Sequence, residues 1–173
     1  MAMKPESQKT FNELVENLDQ MIKVYRQLLN IVRKEREILV SANLDDLNDN
    51  NKAKESMLIQ AKAIEDQRLL LTEKLAAEEG MADAQPKLLE MAVHIGGPDG
   101  DKLRNMHAVL DLLMRRIKEF NGYNESLVNS ALQNITGAMK AIKETLQEKP
   151  TYQKQGKISS AGGQAGHLVS REA

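Results

Sequence analysis

Apolar residues recur with a helical period through the first part of the chain. One set falls at every seventh position, and further apolar residues lie three or four positions from its members. This spacing places apolar side chains on one face of an α-helix. The pattern predicts a first helix over about residues 7–42, with Ser7 or Thr10 as its N-cap. The repeating positions are Phe11, Leu18, Tyr25, Val32 and Leu39.

A second helix is predicted over about residues 44–79. Asn43 is a capping residue followed by acids, which favour the positive end of the helix dipole, and Gly80 is suited to end the helix. Lys54 and Arg68 interrupt its apolar face at the same heptad phase. Because the joint between the two helices is so short, we expect an antiparallel hairpin. The apolar face consists of Leu47, Met57, Leu58, Ala61, Ile64, Leu71 and Leu75.

Two charged residues interrupt the apolar seam of the first helix near its end. They are Glu35 and Arg36. An unpaired buried charge is costly, so we expect these side chains either to reach solvent or to pair with a neighbour.

Two more helices are predicted in the second half of the chain. A short helix over about residues 84–95, with Pro86 at a permitted early position, is followed by the stretch Gly96-Gly97-Pro98-Asp99-Gly100. This stretch lacks the preceding strand and the following Lys-Ser/Thr of a phosphate-binding loop, so we interpret it as a turn. The apolar period then returns and predicts a long helix over about residues 101–147, ended by Pro150.

These elements define an all-α fold, an elongated antiparallel helical hairpin or bundle of three long helices plus one short helix. Residues 1–149 form the predicted helical domain. Residues 150–173 are rich in Gly, Ser and Gln and too poor in apolar residues to bury a core, so we expect a flexible C-terminal tail.

Composition narrows the classes of function. Aromatic residues make up only 3% of the chain and hydrophobic residues 41%, so Leu, Ile, Ala and Met must form the core. A net charge of −1 and a pI near 6.3 lack the basic excess of nucleic-acid-binding proteins. The absence of Cys excludes disulfide scaffolds and thiol chemistry. A polar N-terminus and the lack of an apolar run of about 18 residues predict a soluble, cytoplasmic protein without stable membrane insertion.

Candidate catalytic chemistry is weak. The acids of Asp45–Asp49 have the spacing that binds magnesium diphosphates in isoprenoid synthases, but a second acidic motif is missing, and acids are also common at helix starts. His94, His107 and His167 are far apart in sequence and have no partner at helical spacing. We therefore expect no catalytic site, no metal and no cofactor.

The predicted fourth helix contains a polar stretch, Phe120 to Ser130, with three Asn and a Gly, all poor helix formers. Such a stretch within a helical seam either sets the register as a polar layer or leaves a face on which another chain can dock. The residues alone leave both interpretations open. They also leave open whether the helix continues through Gly122 and Gly137.

Four segments of the chain, in order, resemble the FlgN family of flagellar type III export chaperones. Asn121 and Asn124, followed by apolar residues, resemble the N-x-x-N signature of the family's last helix. The spacing from Lys54 to Arg68 is similar to a second family pattern, and Lys34–Leu39 is similar to the end of its first helix. Thr151–Gly156 resembles a tail element with Tyr and Gly that directly follows the last helix.

The chain departs from the family pattern at several positions. Glu125 stands where the family often has Gly, Gly122 lies three residues earlier, and Gln153 replaces the Gly that follows the tail Tyr. The short helix and the glycine-rich stretch after it are longer than the family pattern predicts. These differences concern the local geometry of the docking segment.

The resemblance implies a non-enzymatic function. A protein of this kind would hold the hook-associated proteins of the hook–filament junction by their terminal amphipathic helices and deliver them to the cytoplasmic domain of the export gate. The alternatives are a chaperone directed to flagellin or to the cap protein, a structural coiled coil, and an enzyme built on a helical bundle. The sequence leaves the particular client and a homodimer open.

The resemblance also implies which residues contact partners. The last helix has more apolar positions after its N-x-x-N element than one seam uses, so we expect the client to bind there. Tyr152 and Gly156 are the expected contacts with the export gate. The expected client-binding residues are Asn121, Asn124, Leu127, Val128, Ala131, Leu132, Ile135, Met139 and Ile142.

Overall fold

The computed structural model describes residues 5–83 and 85–147, and every regular element in this part of the chain is a helix. Its helices are α1 (Pro5–Ser41), α2 (Leu44–Glu78), α3 (Leu88–Ile95) and α4 (Gly97–Gln147). The predicted fold class of three long helices and one short helix is confirmed. The predicted tail, with Tyr152 and Gly156, lies outside the described residues.

The chain divides into two units, Met1–Asn129 and Ser130–Ala173. The first unit contains α1, α2, α3 and the first part of α4, together with every buried side chain of the described residues. The second unit contains the rest of α4, whose described residues are all exposed. The helix α4 is continuous through Gly122 and Gly137, which answers the question that the sequence left open.

The helices α1 and α2 form the predicted antiparallel hairpin. The Asn17 side-chain amide donates to the carbonyl oxygen of Ile64 at 3.1 Å, and the Asn50 side-chain amide donates to that of Ile31 at 3.3 Å. Positions that advance along α1 therefore meet positions that recede along α2. At the start of the hairpin, Asn43 accepts a hydrogen bond from the Asp46 amide at 3.2 Å, so the predicted N-cap of α2 is confirmed.

The first part of α4 runs beside α1 in the same direction. Ile22 and Met106 line one shallow pocket, and further along both helices the guanidinium of Arg33 lies 5.2 Å from the ring centre of Phe120. Residue numbers increase together along the two helices. Because α2 is antiparallel to α1, it is also antiparallel to this part of α4.

Leu, Ile, Val, Ala and Met side chains form most of the core of the first unit, as composition predicted, and Phe11 is its one buried aromatic residue among the described residues. Full burial of each such side chain contributes about 1.5–3 kcal/mol to folding. Leu58 was predicted to belong to the apolar face of α2, but its side chain is 50% exposed. The face is narrower than the sequence pattern because only one edge of α2 faces the other helices. The largest buried apolar residues include Phe11, Leu14, Leu18, Leu75, Met91, Leu103 and Val32.

The predicted start of α1 is wrong by two residues. The helix begins at Pro5, which lacks a backbone N–H and suits the first turn, where that donor has no intrahelical partner. Ser7 and Thr10 lie inside the helix and are buried, so neither residue is the N-cap. The Thr10 hydroxyl instead donates to Glu78 Oε1 at 3.1 Å and joins the two ends of the hairpin.

The predicted starts of α3 and α4 are also wrong. Pro86 precedes α3, which begins at Leu88. The backbone amide of Lys87, the N-cap residue, donates to the carboxylate of Glu90 at 2.8 Å. The helix α4 begins at Gly97 rather than near residue 101. The glycine-rich stretch is therefore mostly helix, and the chain reverses at Gly96 and Gly97, whose φ angles are 66° and 57°.

Gly100 allows the first turn of α4 to pass against the end of α3. Its amide donates to the carbonyl oxygen of Gly96 at 2.9 Å. A Cβ atom at this position would lie 2.4 Å from the carbonyl oxygen of Ala92, which is closer than real Cβ contacts. Glycine is required here by a close backbone approach.

Candidate functional site

A polar cluster joins three helices of the first unit. We define it as Glu35 of α1, Lys54 of α2, and Asn121 and Asn124 of α4. The Lys54 ammonium donates to Glu35 Oε2 at 2.9 Å and to Asn121 Oδ1 at 3.1 Å. The Asn124 amide donates to the same Glu35 oxygen and to the carbonyl oxygen of Val32, both at 2.9 Å. Each of the three helices thus supplies at least one hydrogen-bonding side chain to the polar cluster.

The polar cluster is largely shielded from solvent. Asn124 is only 4% exposed, and the side chains of Lys54 and Glu35 are 24% and 12% exposed. A charge in such a position is tolerated only with its partner, so sliding one helix past another would leave the charge unpaired. The polar-layer interpretation of the Asn-rich stretch therefore fits Asn121 and Asn124.

Three segments that are distant in sequence meet in the polar cluster. Lys34–Leu39 supplies Glu35, the pattern that begins at Lys54 supplies the cation, and the N-x-x-N element supplies both amides. The sequence predicted that Glu35 would reach solvent or pair, and pairing is confirmed. The sequence did not identify Lys54 as the partner of Glu35, although each of these residues interrupts the apolar seam of one of the two antiparallel helices.

The structure places the predicted client-binding residues in different surroundings. Asn124 is buried and Asn121 is half-buried, both within the polar cluster. In the first unit, Leu127 and Val128 are 37% and 40% exposed. The predicted residues of the second unit are all exposed, namely Ala131, Leu132, Ile135, Met139 and Ile142. Their contact with a client stays a prediction.

The described part of the second unit carries an apolar stripe along α4. Its members follow one another at alternating steps of three and four residues, which is the spacing of a coiled-coil seam. Each is between 56% and 66% exposed, and every described residue of this unit is exposed. Within the described residues, the seam therefore has no partner helix. The apolar stripe consists of Leu132, Ile135, Met139, Ile142 and Leu146.

Sequence reasoning missed an arginine–aromatic cluster in the first unit. We define it as Arg33 and Arg36 of α1 with Phe120 and Tyr123 of α4. The Arg33 guanidinium lies 5.2 Å from the Phe120 ring centre and the Arg36 guanidinium 5.6 Å from the Tyr123 ring centre. The two rings meet edge to face at 6.5 Å. The available signal was two arginines and two aromatic residues, each pair spaced by one helical turn.

Arg68, which interrupts the seam of α2, is paired with Glu65 through two hydrogen bonds of 2.7 Å. These bonds raise the pKa of Arg68 above its usual value. Burial is the main cause that raises the pKa of the neighbouring Tyr25, and the charge of Glu65 adds to it. The three residues border a cavity of about 480 Å³ together with His107. Both shifts favour the forms that these groups already have at physiological pH, the charged guanidinium and the neutral phenol.

The described residues contain no group of three or more His, Asp or Glu side chains that could hold a metal ion. The acids near the start of α2 are used locally: Asp46 takes part in the cap with Asn43, and Asp49 lies 3.5 Å from Lys52. His167 lies outside the described residues. Among the helices that the structure describes, none has a stretch long and apolar enough to cross a membrane.

The fold and the site together define a helical-bundle protein whose last helix combines an internal polar layer with an apolar seam left exposed. The family model of the FlgN protein matches residues 1–160 of the chain. The chain belongs to the FlgN protein family, which is a family of flagellar export chaperones and not of enzymes. Comparisons with curated proteins and with solved structures found no match.

Proposed function

We propose that this protein holds hook-associated proteins of the flagellar hook–filament junction in the cytoplasm before export. It binds their terminal amphipathic helices and delivers them to the export gate. The observation that carries this proposal is the apolar stripe, Leu132 to Leu146, a coiled-coil seam whose members are more than half exposed. Membership of a chaperone family supports the same assignment.

The chemistry of the apolar stripe suits an amphipathic helix. Full burial of a Leu, Ile or Met side chain contributes about 1.5–3 kcal/mol, so five partly exposed members offer a gross gain of several kcal/mol. Part of this gain offsets the ordering of the client segment. Holding a client and later releasing it both require a reversible net affinity of moderate strength. Holding of this kind requires no nucleotide.

Methionine at the centre of the apolar stripe adds tolerance for different clients. Met139 is 66% exposed and has a flexible, unbranched side chain that adapts to differently shaped partners. Leu127 and Val128 of the first unit, also partly exposed, extend the proposed client-binding set. Asn121 and Asn124 act within the proposal by holding α4 in register with α1 and α2.

Delivery to the cytoplasmic domain of the gate is assigned to Tyr152 and Gly156, which lie outside the described residues. The assignment is supported by the resemblance of Thr151–Gly156 to the tail element of the family. A Tyr offers a large contact area with few rotors and one hydroxyl for a directed hydrogen bond. Tyr152→Ala should keep client affinity within about twofold and weaken gate binding of the loaded chaperone by roughly 1–2 kcal/mol. Equal gate affinity for the native chaperone and the Tyr152→Ala variant would contradict this assignment.

A pull-down from flagellated cells, with bound proteins identified by mass, tests the choice of client. The junction proteins should dominate the bound fraction. Flagellin or the cap protein in their place would make this a chaperone of another flagellar client. Recovery of only a second copy of this chain would favour a structural coiled coil, because a seam of this kind also pairs with itself.

A further inference from the structure

Three members of the arginine–aromatic cluster, Arg33, Arg36 and Phe120, line a surface pocket in the first unit. The pocket has a volume of about 530 Å³ and is lined by Arg33, Arg36, Glu37, Val40 and Phe120. Val40 is 72% exposed and lies one turn beyond Arg36 on α1. The pocket thus combines two guanidinium groups with an aromatic ring and an aliphatic side chain.

The two guanidinium groups have no acidic partner among residues 5–83 and 85–147. Arg33 instead lies over the ring of Phe120, and Arg36 lies over the ring of Tyr123. Arginines of α4 behave differently, since the Arg115 guanidinium pairs with the Asp111 carboxylate, one turn away, at 2.6 Å. Two exposed charges that lie side by side repel each other, and an approaching anion would relieve this repulsion.

Stacking on the rings prepares both arginines for an acidic ligand. A guanidinium that lies over a ring leaves its N–H groups free at the edge of its own plane, and two of its five donors can bind the two oxygens of a carboxylate together. Arg33 and Arg36 are spaced by one helical turn, which places their side chains about 5–6 Å apart at Cβ. Two carboxylates with the same one-turn spacing on a partner helix would match them.

We propose that this pocket docks an acidic amphipathic helix of another protein. Two of its carboxylates, one turn apart, pair with Arg33 and Arg36, and an adjacent apolar side chain enters the pocket against Phe120 and Val40. Phe, Tyr and Arg are also enriched at protein interfaces, and Tyr and Arg are among the residues that dominate binding energy there. The surface shares no residue with the proposed client-binding set, so this proposal does not depend on the proposed function.

A polyanion such as RNA fits the same surface less well. The chain carries a net charge of −1, and the carboxylate of Glu37 lines the pocket beside the two arginines. A continuous row of phosphates would be repelled by this carboxylate. A peptide with a few spaced acids can place an apolar side chain or a lysine opposite Glu37.

The test uses the full chain and two synthetic helical peptides, measured by titration calorimetry. One peptide has two Glu residues spaced by one turn with Leu beside them, and the other has Gln in place of each Glu. The Glu peptide should bind the native chain at least tenfold more tightly than the Gln peptide, because only carboxylates accept charge-assisted hydrogen bonds from both arginines. Equal affinity for the two peptides would overturn the proposal.

Two double variants locate the binding. Arg33→Gln with Arg36→Gln should abolish the preference for the Glu peptide. Arg26→Gln with Arg115→Gln removes the same charge from exposed positions elsewhere and should preserve the preference. Equal loss in both double variants would show a general charge effect and contradict the assigned site.

A third double variant and a nucleic-acid probe complete the test. Arg33→Lys with Arg36→Lys keeps the charge and the fold but removes the planar fork, so Glu-peptide binding should weaken several-fold. Unchanged binding would contradict bidentate recognition. A single-stranded oligonucleotide that binds more tightly than the Glu peptide, and loses binding in the Arg33/Arg36 variant, would replace the proposed peptide with nucleic acid.

Discussion

Removal of the Lys54 charge tests whether the polar cluster holds the bundle in register. Lys54→Met keeps most of the side-chain length and removes the ammonium that donates to Glu35 and Asn121. The Glu35 carboxylate, 12% exposed, then loses its cation and keeps only the hydrogen bond from Asn124. The variant therefore leaves an acid without charge compensation in a shielded position.

The expected cost follows from the degree of burial. Breaking a fully buried ion pair by removing one partner costs about 3–5 kcal/mol. Exposed pairs contribute only about 0–1 kcal/mol. With side chains 24% and 12% exposed, the Lys54–Glu35 pair lies nearer the buried case, and solvent access lowers the cost. We expect Lys54→Met to reduce the free energy of unfolding by about 2 kcal/mol.

Urea unfolding followed by far-ultraviolet circular dichroism measures this change. Lys52→Met is the matched control on the same helix, since its ammonium lies 3.5 Å from Asp49 with side chains 68% and 80% exposed. The control should change the free energy of unfolding by less than about 0.5 kcal/mol. A double-mutant cycle with Glu35→Gln should show a coupling of about 1 kcal/mol or more. Equal effects of Lys54→Met and Lys52→Met would refute the assigned role of the polar cluster.

Three further predictions concern packing, pH and the tail. In thermal unfolding, Gly100→Ala should destabilise the protein by about 1–3 kcal/mol, because its Cβ would meet the Ala92 carbonyl oxygen. Gly122→Ala, with open space around its Cβ, should stabilise the protein by about 0.5–1 kcal/mol. The reverse order of stability would contradict the close approach of α3 and α4. Burial raises the pKa of Tyr25, so the stabilising contribution of this residue is complete below its ordinary pKa of 10.0 and is lost as pH rises through the raised value. Tyr25→Phe should therefore flatten the loss of thermal stability above pH 10. An unchanged slope would show that other groups cause this loss. Deletion of the chain after Pro150 should leave the free energy of unfolding in urea within about 1 kcal/mol, because the tail has few apolar residues; a larger loss would show that it packs on the bundle.

The helices were predictable because three long segments repeat apolar residues at the helical period. The breaks between them depend on contacts that a local pattern does not contain. The start of α4 at Gly97 illustrates this, since the reversal at Gly96 and Gly97 is accompanied by the close approach of Gly100 to Ala92. Local chemistry suggested a turn, whereas tertiary packing made most of the same residues helical.

The candidate site was predictable only in part. The N-x-x-N element marked Asn121 and Asn124 as unusual within a helix, but their burial depends on Glu35 and Lys54, which are distant in sequence. The spacing of the residues in the apolar stripe follows directly from the helical period. The arginine–aromatic cluster was missed because it requires the register between α1 and α4, which no single segment specifies.

Client binding by the apolar stripe is tested most directly with the purified chain and a labelled peptide from the terminal helix of a hook-associated protein. Fluorescence anisotropy should show that Ile135→Asp weakens binding at least tenfold, because the variant loses apolar contact and places a charge in the seam. Asn134→Asp adds the same charge at the adjacent exposed position and should stay within about twofold of the native affinity. Helical circular dichroism should be unchanged in both variants. Native affinity in Ile135→Asp would contradict the proposed client-binding role of the apolar stripe.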